Sequence, residues 1–180
     1  MSQDYTNKLH AGSTFPTQTV TLKSGKEVAL GEPRTGFDWQ LIVVYRGKHC
    51  PLCTKYLNQL QNYIERLAKI GVDVLAISGD NKEQLVTHAS QLNTEFDIAY
   101  GMTLEQMKEL GLYISDPRSD QETDHPFSEP GLFVVNEQGK IQVIDISNNP
   151  FVRPELEALV NGLTWIKDPD NNYPIRGMHR

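Results

Sequence analysis

The chain contains two cysteines, Cys50 and Cys53, separated by Pro51 and Leu52. A continuous apolar run, residues 40–45, precedes them and predicts a buried strand, and a long pattern of helical period follows them. The thiolate is the reactive form of cysteine, and at a helix N-terminus its pKa falls from about 8.5 to roughly 3.5–7.5. Unpaired N–H groups and the helix dipole favour negative charge there. We therefore predict thiol–disulfide chemistry.

The two sulfurs are expected to have different environments. Cys50 is predicted at the helix N-cap, with Pro51 at the first helical position, where proline is tolerated. This favours Cys50 as the more exposed and better stabilised thiolate of the two, which would attack first. Cys53 shares a helix face with Leu57 and Leu60, so we expect it to point inward and act as the resolving thiol that closes the disulfide.

The alternatives to a redox pair are two cysteines that only pack and a zinc site. A structural zinc site needs four ligands, usually from two close pairs. The five histidines are scattered along the chain and stand at His10, His49, His88, His125 and His179. A Cys-x-x-Cys in a strand–helix–strand setting is typical of redox function. We favour that interpretation and expect neither a metal nor an organic cofactor.

Composition limits the classes of partner. The net charge of −6 argues against nucleic acid and anionic membranes, and no apolar run reaches the length of a membrane span. The first residues lack the apolar segment of a signal peptide, and two adjacent cysteines cannot staple distant parts of a secreted chain. We expect a cytoplasmic protein with a single domain over residues 1–180, a core over about 10–165 and a polar tail over 167–180.

The apolar periodicity predicts an α/β fold with a mixed sheet and helices on both faces. The predicted elements, in chain order, are a hairpin over 19–30, a strand over 40–45, one helix from Pro51 to Gly71, a strand over 72–78, a helix opened by Asp80 and Glu83, a short strand over 96–100, a helix opened by the capping pair Thr103 and Gln106, an aperiodic loop over 114–129, a second hairpin over 132–146 and a last helix opened by Pro154. Right-handed crossovers make the two long strands parallel neighbours. The cysteines then lie at the carboxyl end of the first, where open α/β sheets place their sites.

These features carry a resemblance to a known family. A strand, Cys-x-x-Cys at a helix N-terminus and a proline before a later buried strand resemble the thioredoxin superfamily. The N-terminal hairpin, residues 72–80 and residues 130–141 resemble peroxiredoxin-like proteins of the alkyl hydroperoxide reductase/thiol-specific antioxidant (AhpC/TSA) family. The resemblance covers about residues 10–165. It implies a thioredoxin-like three-layer α/β sandwich with a mixed central sheet and an N-terminal β-hairpin extension.

The chain departs from the family pattern in two places. When Cys53 is matched to the cysteine of the family motif Pro-x-x-x-Thr-x-x-Cys, Cys50 replaces the threonine and Arg46 replaces the proline. That match makes Cys53 the sulfur that attacks peroxide, so the order of attack stays open. The family arginine usually precedes the second hairpin, where this chain has Ser-Glu-Pro at 128–130. Arg153 could replace it, although a surface position is the simpler interpretation.

Four more residues are candidates for shaping the site. Arg46 and His49 are close to Cys50 in sequence, and positive neighbours lower a thiol pKa, whereas Lys48 is more simply a solvated side chain. The resemblance implies a cis peptide bond before Pro130 and a position that faces the cysteines. The alternative interpretation is a proline that simply precedes a strand. Given the cis bond, Glu129 would border the site as a proton carrier, or be an exposed loop carboxylate.

The function expected from residues and resemblance is a thiol-dependent antioxidant oxidoreductase. It would reduce hydroperoxides or disulfides with electrons from a thioredoxin- or glutaredoxin-like dithiol. The resemblance is also compatible with a homodimer. A protein disulfide reductase or isomerase without peroxidase activity is the nearer alternative. A redox-sensing binding module, with residues 116–124 as its moving part, is the alternative from another class.

Overall fold

The structure, a computed structural model, describes residues 7–180. The strands are β1 (Gln18–Leu22), β2 (Glu27–Leu30), β3 (Trp39–Val44), β4 (Val72–Ile77), β5 (Asp97–Tyr100), β6 (Ile114–Ser115), β7 (Phe127–Ser128), β8 (Gly131–Val135) and β9 (Ile141–Ile146). The helices are α1 (Pro51–Gln61), α2 (Ile64–Lys69), α3 (Lys82–Ala89), α4 (Leu104–Glu109) and α5 (Leu156–Lys167), and a short 3₁₀ turn, Pro169–Asn171, follows. None of the helices in this part of the chain has the length and apolar character needed to cross a membrane.

Seven strands form one mixed sheet in the order β2-β1-β5-β4-β3-β8-β9. The central strands β3, β4 and β5 are parallel, whereas β8 pairs antiparallel with β3 and β9 pairs antiparallel with β8. The β1–β2 hairpin extends the sheet beyond β5. The predicted parallel pair, the two hairpins and the N-terminal extension are confirmed. Strands β6 and β7 form a separate small ladder.

The two faces of β3 divide the core. Leu41 and Val43 belong to a cluster that includes side chains from α1, α2, α3 and α5, and Ile42 and Val44 belong to a second cluster that includes side chains from α4. The helices therefore cover both faces, as predicted. A slip of one residue would exchange the two sets of side chains, so the register of β3 is strongly specified. That register fixes where the loop to the cysteines begins.

The prediction of one long helix from Pro51 to Gly71 is wrong in one respect, because the chain forms two helices there. The N–H of Asn62 donates to the carbonyl of Gln59 at 3.0 Å, and the N–H of Tyr63 donates to that of Leu60 at 3.0 Å. These bonds span three residues and tighten the turn between α1 and α2. Apolar residues remain inward on both sides of the break, so periodicity alone could not reveal it.

Helix starts also differ from the sequence prediction. The Thr103 and Gln106 capping box at α4 is confirmed, but α3 is capped by Asn81 and Gln84, one residue later than predicted, because the carboxylate of Asp80 accepts a hydrogen bond from another loop. Helix α5 is capped by Glu155 and begins at Leu156 rather than at Pro154.

Candidate active site

The loop from β3 to α1 is fixed by Asp80, a fully buried carboxylate just after β4. Its Oδ2 accepts from the N–H of Lys48 at 2.7 Å, and its Oδ1 lies 3.2 Å from Nε2 of His125. Gly47 has a φ of +141°, and a Cβ there would lie 2.6 Å from Oδ1 of Asp80. Only glycine fits this close approach without strain, so the loop reaches Cys50 along a defined path.

Cys50 is the N-cap of α1, as predicted. Its backbone is extended, with φ −109° and ψ 102°, and Pro51 follows in the first turn. The Sγ atom of Cys50 accepts from the N–H of Cys53 at 3.3 Å, and the carbonyl of Cys50 accepts from the N–H of Thr54 at 3.1 Å. The sulfur therefore occupies the position in which an N-cap oxygen normally satisfies a free N–H group.

Both cysteines are free thiols and both are buried, with Cys50 at 2% and Cys53 at 0% exposure. The difference in exposure predicted between the two sulfurs is therefore small, because both are covered. The Cys50 sulfur interacts with the Arg46 guanidinium, and that side chain is held over the site by the 114–129 loop. The inward orientation of Cys53, beside Leu57 and Leu60, is confirmed.

The two thiols differ in acidity. The hydrogen bond from the Cys53 thiol, together with the Cys53 N–H and Arg46, lowers the pKa of Cys50 to about 6 against the opposing effect of burial. The pKa of Cys53 is raised, chiefly by burial and also by its hydrogen bond to Cys50, while the charge of Arg153 opposes the rise. Near neutral pH, Cys50 carries the negative charge and Cys53 carries the proton.

Arg46 links the cysteine loop to the 114–129 loop. Its Nε lies 3.0 Å from Oε2 of Glu129, its Nη2 lies 3.7 Å from Oε1 of Glu122, and its guanidinium packs over the ring of Phe127. Glu129 is 4% exposed and its Oε1 also accepts from Ser115 at 2.8 Å. The interpretation of Glu129 as an exposed carboxylate is therefore wrong, because it is the main counter-ion of Arg46.

His49 and Lys48 do not add a positive charge next to the sulfur. The ring of His49 packs edge-on against Phe127 with centroids 4.5 Å apart, and burial, followed by the charge of Arg46, lowers its pKa. His49 is therefore neutral near pH 7, so its expected role as a cation is wrong. Lys48 is exposed, which confirms the simpler interpretation of that residue.

The peptide bond before Pro130 is trans, since residues 7–180 contain no cis peptide bond. The predicted cis bond is therefore wrong. In the trans form the N–H of Glu129 donates to the carbonyl of Tyr113 at 2.8 Å, and the carbonyl of Pro130 accepts from Ser147 at 3.0 Å. Backbone hydrogen bonds thus hold both neighbours of the bond, between the end of β7 and the start of β8. Pro130 lines a small cavity together with Tyr56 and Arg153.

Arg153 contacts Cys53, although 100 residues separate them. Its Nη2 donates to Sγ of Cys53 at 2.6 Å, and its guanidinium packs over the ring of Tyr56, 4.8 Å from the centroid. The expected surface position is therefore wrong. Beside this contact, a groove of about 500 Å³ is lined by Leu52, Tyr56 and Phe151 among others.

Three supporting residues were not singled out by sequence reasoning. Asp80 could have been found, because it follows a buried strand at the same sheet edge as the cysteines. Thr54 and His88 had no such signal: Oγ1 of Thr54 lies 2.7 Å from Nε2 of His88, which ties α1 to α3. Within residues 7–180, no group of three or more His, Cys, Asp or Glu side chains is placed to hold a metal ion.

Comparison with known proteins identifies the family. The model of the AhpC/TSA family matches residues 11–144. Alkyl hydroperoxide reductase C of Escherichia coli (strain K12) is 26% identical over 132 residues, which cover 73% of this chain and 68% of that protein. Peroxiredoxin Q, chloroplastic, of Sedum lineare is 29% identical over 150 residues, which cover 82% of this chain and 73% of that protein.

Solved structures show the same fold. A peroxiredoxin-like protein from Aquifex aeolicus has a TM-score of 0.68 at 20% identity, covering 88% of each chain. AhpC of Mycobacterium bovis has a TM-score of 0.72 at 13% identity, covering 97% of this chain and 99% of that one. The predicted thioredoxin-like architecture is confirmed. With a buried cysteine pair at the start of α1 and a family match over residues 11–144, this chain belongs to the AhpC/TSA family.

Proposed function

We propose that this protein is a thiol peroxidase that reduces hydroperoxides, with Cys50 as the attacking sulfur and Cys53 as the resolving thiol. The observation that carries the proposal is the Cys50 sulfur at the N-cap of α1, where it accepts from the N–H of Cys53 at 3.3 Å and its pKa is lowered to about 6, within an AhpC/TSA fold. A thiol with this pKa is mostly thiolate at neutral pH. Similarity to an alkyl hydroperoxide reductase supports a hydroperoxide as the oxidant.

The reaction proceeds in three balanced steps. The Cys50 thiolate attacks the hydroperoxide, an S–O bond forms and the O–O bond breaks; the alkoxide takes a proton to leave as alcohol, and Cys50 becomes a sulfenic acid. Cys53 loses its proton and attacks Cys50, which forms the disulfide and releases water. An external dithiol, such as a thioredoxin- or glutaredoxin-like protein, then reduces the disulfide by exchange and is itself oxidised.

The surrounding residues are assigned supporting roles in the first step. Arg46 stabilises the Cys50 thiolate as a nearby cation, and Glu129 holds that guanidinium in place. Pro51 has no N–H, so it leaves the Cys50 sulfur to the N–H of Cys53. Neutral His49 packs against the loop, and Pro130 lines the small cavity behind the site.

Burial favours a small oxidant over a protein disulfide. Cys50 is 2% exposed, so a folded partner reaches it only after local opening, which the third step also requires. A hydroperoxide group is only a few atoms in size and makes a smaller demand in the first step. This is why we rank peroxide reduction above the disulfide reductase alternative, and a turnover enzyme above a redox-sensing module.

Stopped-flow mixing of the reduced protein with tert-butyl hydroperoxide tests the proposal. We expect one peroxide consumed per chain, a Cys50–Cys53 disulfide as product and repeated turnover with dithiothreitol. Cys50→Ser should consume none, and Cys53→Ser should stop at a sulfenic acid that dimedone labels. Oxidation no faster than that of a free thiol of similar pKa would leave only disulfide exchange, and a single oxidation without turnover would leave the redox sensor.

A further inference from the structure

We propose that Arg153 drives the second step, by stabilising the thiolate of Cys53 while it displaces the group bound to Cys50. This inference rests on the proposed division of roles between the two cysteines. Under this proposal each sulfur has its own guanidinium. Arg46 serves Cys50 and Arg153 serves Cys53, and the two arginines come from distant segments of the chain.

Two contacts fix the position of the Arg153 guanidinium. Nη2 donates to Sγ of Cys53 at 2.6 Å, and the guanidinium lies over the ring of Tyr56, three residues after Cys53 on α1. The hydroxyl of Tyr56 donates to the carbonyl of Pro154 at 2.7 Å, which ties the backbone next to Arg153 to the same helix. A hydrogen bond from a guanidinium to a thiolate is charge-assisted, so it strengthens when Cys53 ionises.

The charges around Cys53 explain why it ionises second. The groups that face it are the Cys50 sulfur, Arg153, the backbone N–H of Arg46 and the phenol of Tyr45 on the β3 side. Burial raises the pKa of Tyr45, so that phenol is neutral. While Cys50 is a thiolate, a second anion beside it is disfavoured. Once Cys50 becomes a sulfenic acid or a mixed disulfide, that negative charge is gone, and only burial still opposes the attraction of Arg153.

The step balances without any further reactant. The Cys53 thiol gives its proton to water, its sulfur attacks the Cys50 sulfur and an S–S bond forms. In the peroxide reaction the S–O bond of Cys50 breaks, and the hydroxide takes up a proton to leave as water. In a mixed disulfide the bond to the outer sulfur breaks, and that sulfur leaves as a thiolate.

The test compares Arg153→Gln and Arg153→Lys with Arg176→Gln, a control at an exposed arginine that packs on Tyr173 away from the site. Each reduced variant is mixed with the aromatic disulfide dithiobis-nitrobenzoate, which releases one coloured thiolate when Cys50 attacks and a second when Cys53 closes the disulfide. A parallel run uses tert-butyl hydroperoxide, with dimedone to trap sulfenic acid. Melting temperatures verify that each variant folds.

We expect Arg153→Gln to leave the first phase unchanged and to slow the second about tenfold to a hundredfold, the loss typical of one charge-assisted hydrogen bond. The pH profile of the second phase should shift to alkaline pH, and lysine should restore part of the rate. An unchanged second phase in Arg153→Gln overturns the inference. A slowed first phase overturns it too, because Cys53 would then be the attacking sulfur. The reaction with the aromatic disulfide reports both steps even if the protein reduces no peroxide. The proposed peroxidase function and the proposed role of Arg153 can therefore be refuted independently.

Discussion

The Cys53→Ala variant should raise the pKa of Cys50. The largest cause of the lowered value in the native protein is the hydrogen bond from the Cys53 thiol to the Cys50 sulfur. Alanine removes this donor but keeps the N–H of residue 53, which donates to the same sulfur at 3.3 Å, and it leaves Arg46 in place. The variant therefore isolates one of three stabilising contributions.

The expected shift follows from the strength of that bond. A hydrogen bond to a charged group contributes about 1.5–3 kcal/mol, and one pKa unit corresponds to about 1.4 kcal/mol. The pKa of Cys50 should thus rise by about 1–2 units, from about 6 to between roughly 7 and 8. At a pH of about 6.5 the thiolate fraction would fall from about three quarters to about a tenth.

Ultraviolet absorbance of the thiolate, recorded as a function of pH, measures this shift without requiring a reagent to enter the buried site. Cys53 does not titrate in the same range, because its pKa is raised, so the native curve should show a single inflection. Cys53→Ser is the matched control: its hydroxyl can still donate, and its inflection should lie between those of the native protein and Cys53→Ala. An alanine variant whose inflection stays at about pH 6 would refute the assignment of this hydrogen bond.

Three further predictions concern the surroundings of the cysteines. Glu129→Gln leaves the partly buried charge of Arg46 with only its longer contact to Glu122, so urea unfolding should show a loss of about 2 kcal/mol, and the Cys50 titration should move to lower pH. Gly47→Ala should lose at least about 1 kcal/mol more than Gly25→Ala, since both have positive φ but only the first added methyl meets a carboxylate; equal losses would contradict the tight approach. The pKa of Cys50 is lower in the folded protein than in the unfolded chain. The stabilisation by its thiolate is therefore complete above about pH 8.5 and is lost as the pH falls to about 6. The free energy of unfolding should rise with pH across that window in the native protein and not in Cys50→Ser.

Local interactions explain what could be predicted from the sequence. The N-cap at Cys50, the position of Pro51 and the capping box at Thr103 depend on contacts within three residues along the chain, and all three are confirmed. The parallel pairing of β3 with β4 follows from two buried apolar runs and the handedness of crossovers. These signals are contained in short windows of sequence, so one chain is sufficient to read them.

Long-range contacts explain what could not be predicted. Arg153 reaches Cys53 across 100 residues, and Glu129 is buried only because Arg46 lies against it. An isolated charge in a polar stretch gives no sign that a counter-ion will be supplied from another loop. The near-complete burial of Cys50 has the same cause, since its cover includes the side chain of Arg46, which the 114–129 loop holds.

The departures from the family pattern do not remove the electrostatic conditions for thiol chemistry. A residue-by-residue match assigns this chain a cysteine in place of the motif threonine, and a glutamate and a proline where an arginine usually stands. The stabilisation of a thiolate depends on distance and burial rather than on the element that carries the cation. Here Arg46 acts from the loop before α1 and Arg153 from the segment before α5. The same charge is thus supplied from different sequence positions, and a second thiol, Cys53, becomes the strongest single contributor to the acidity of the first.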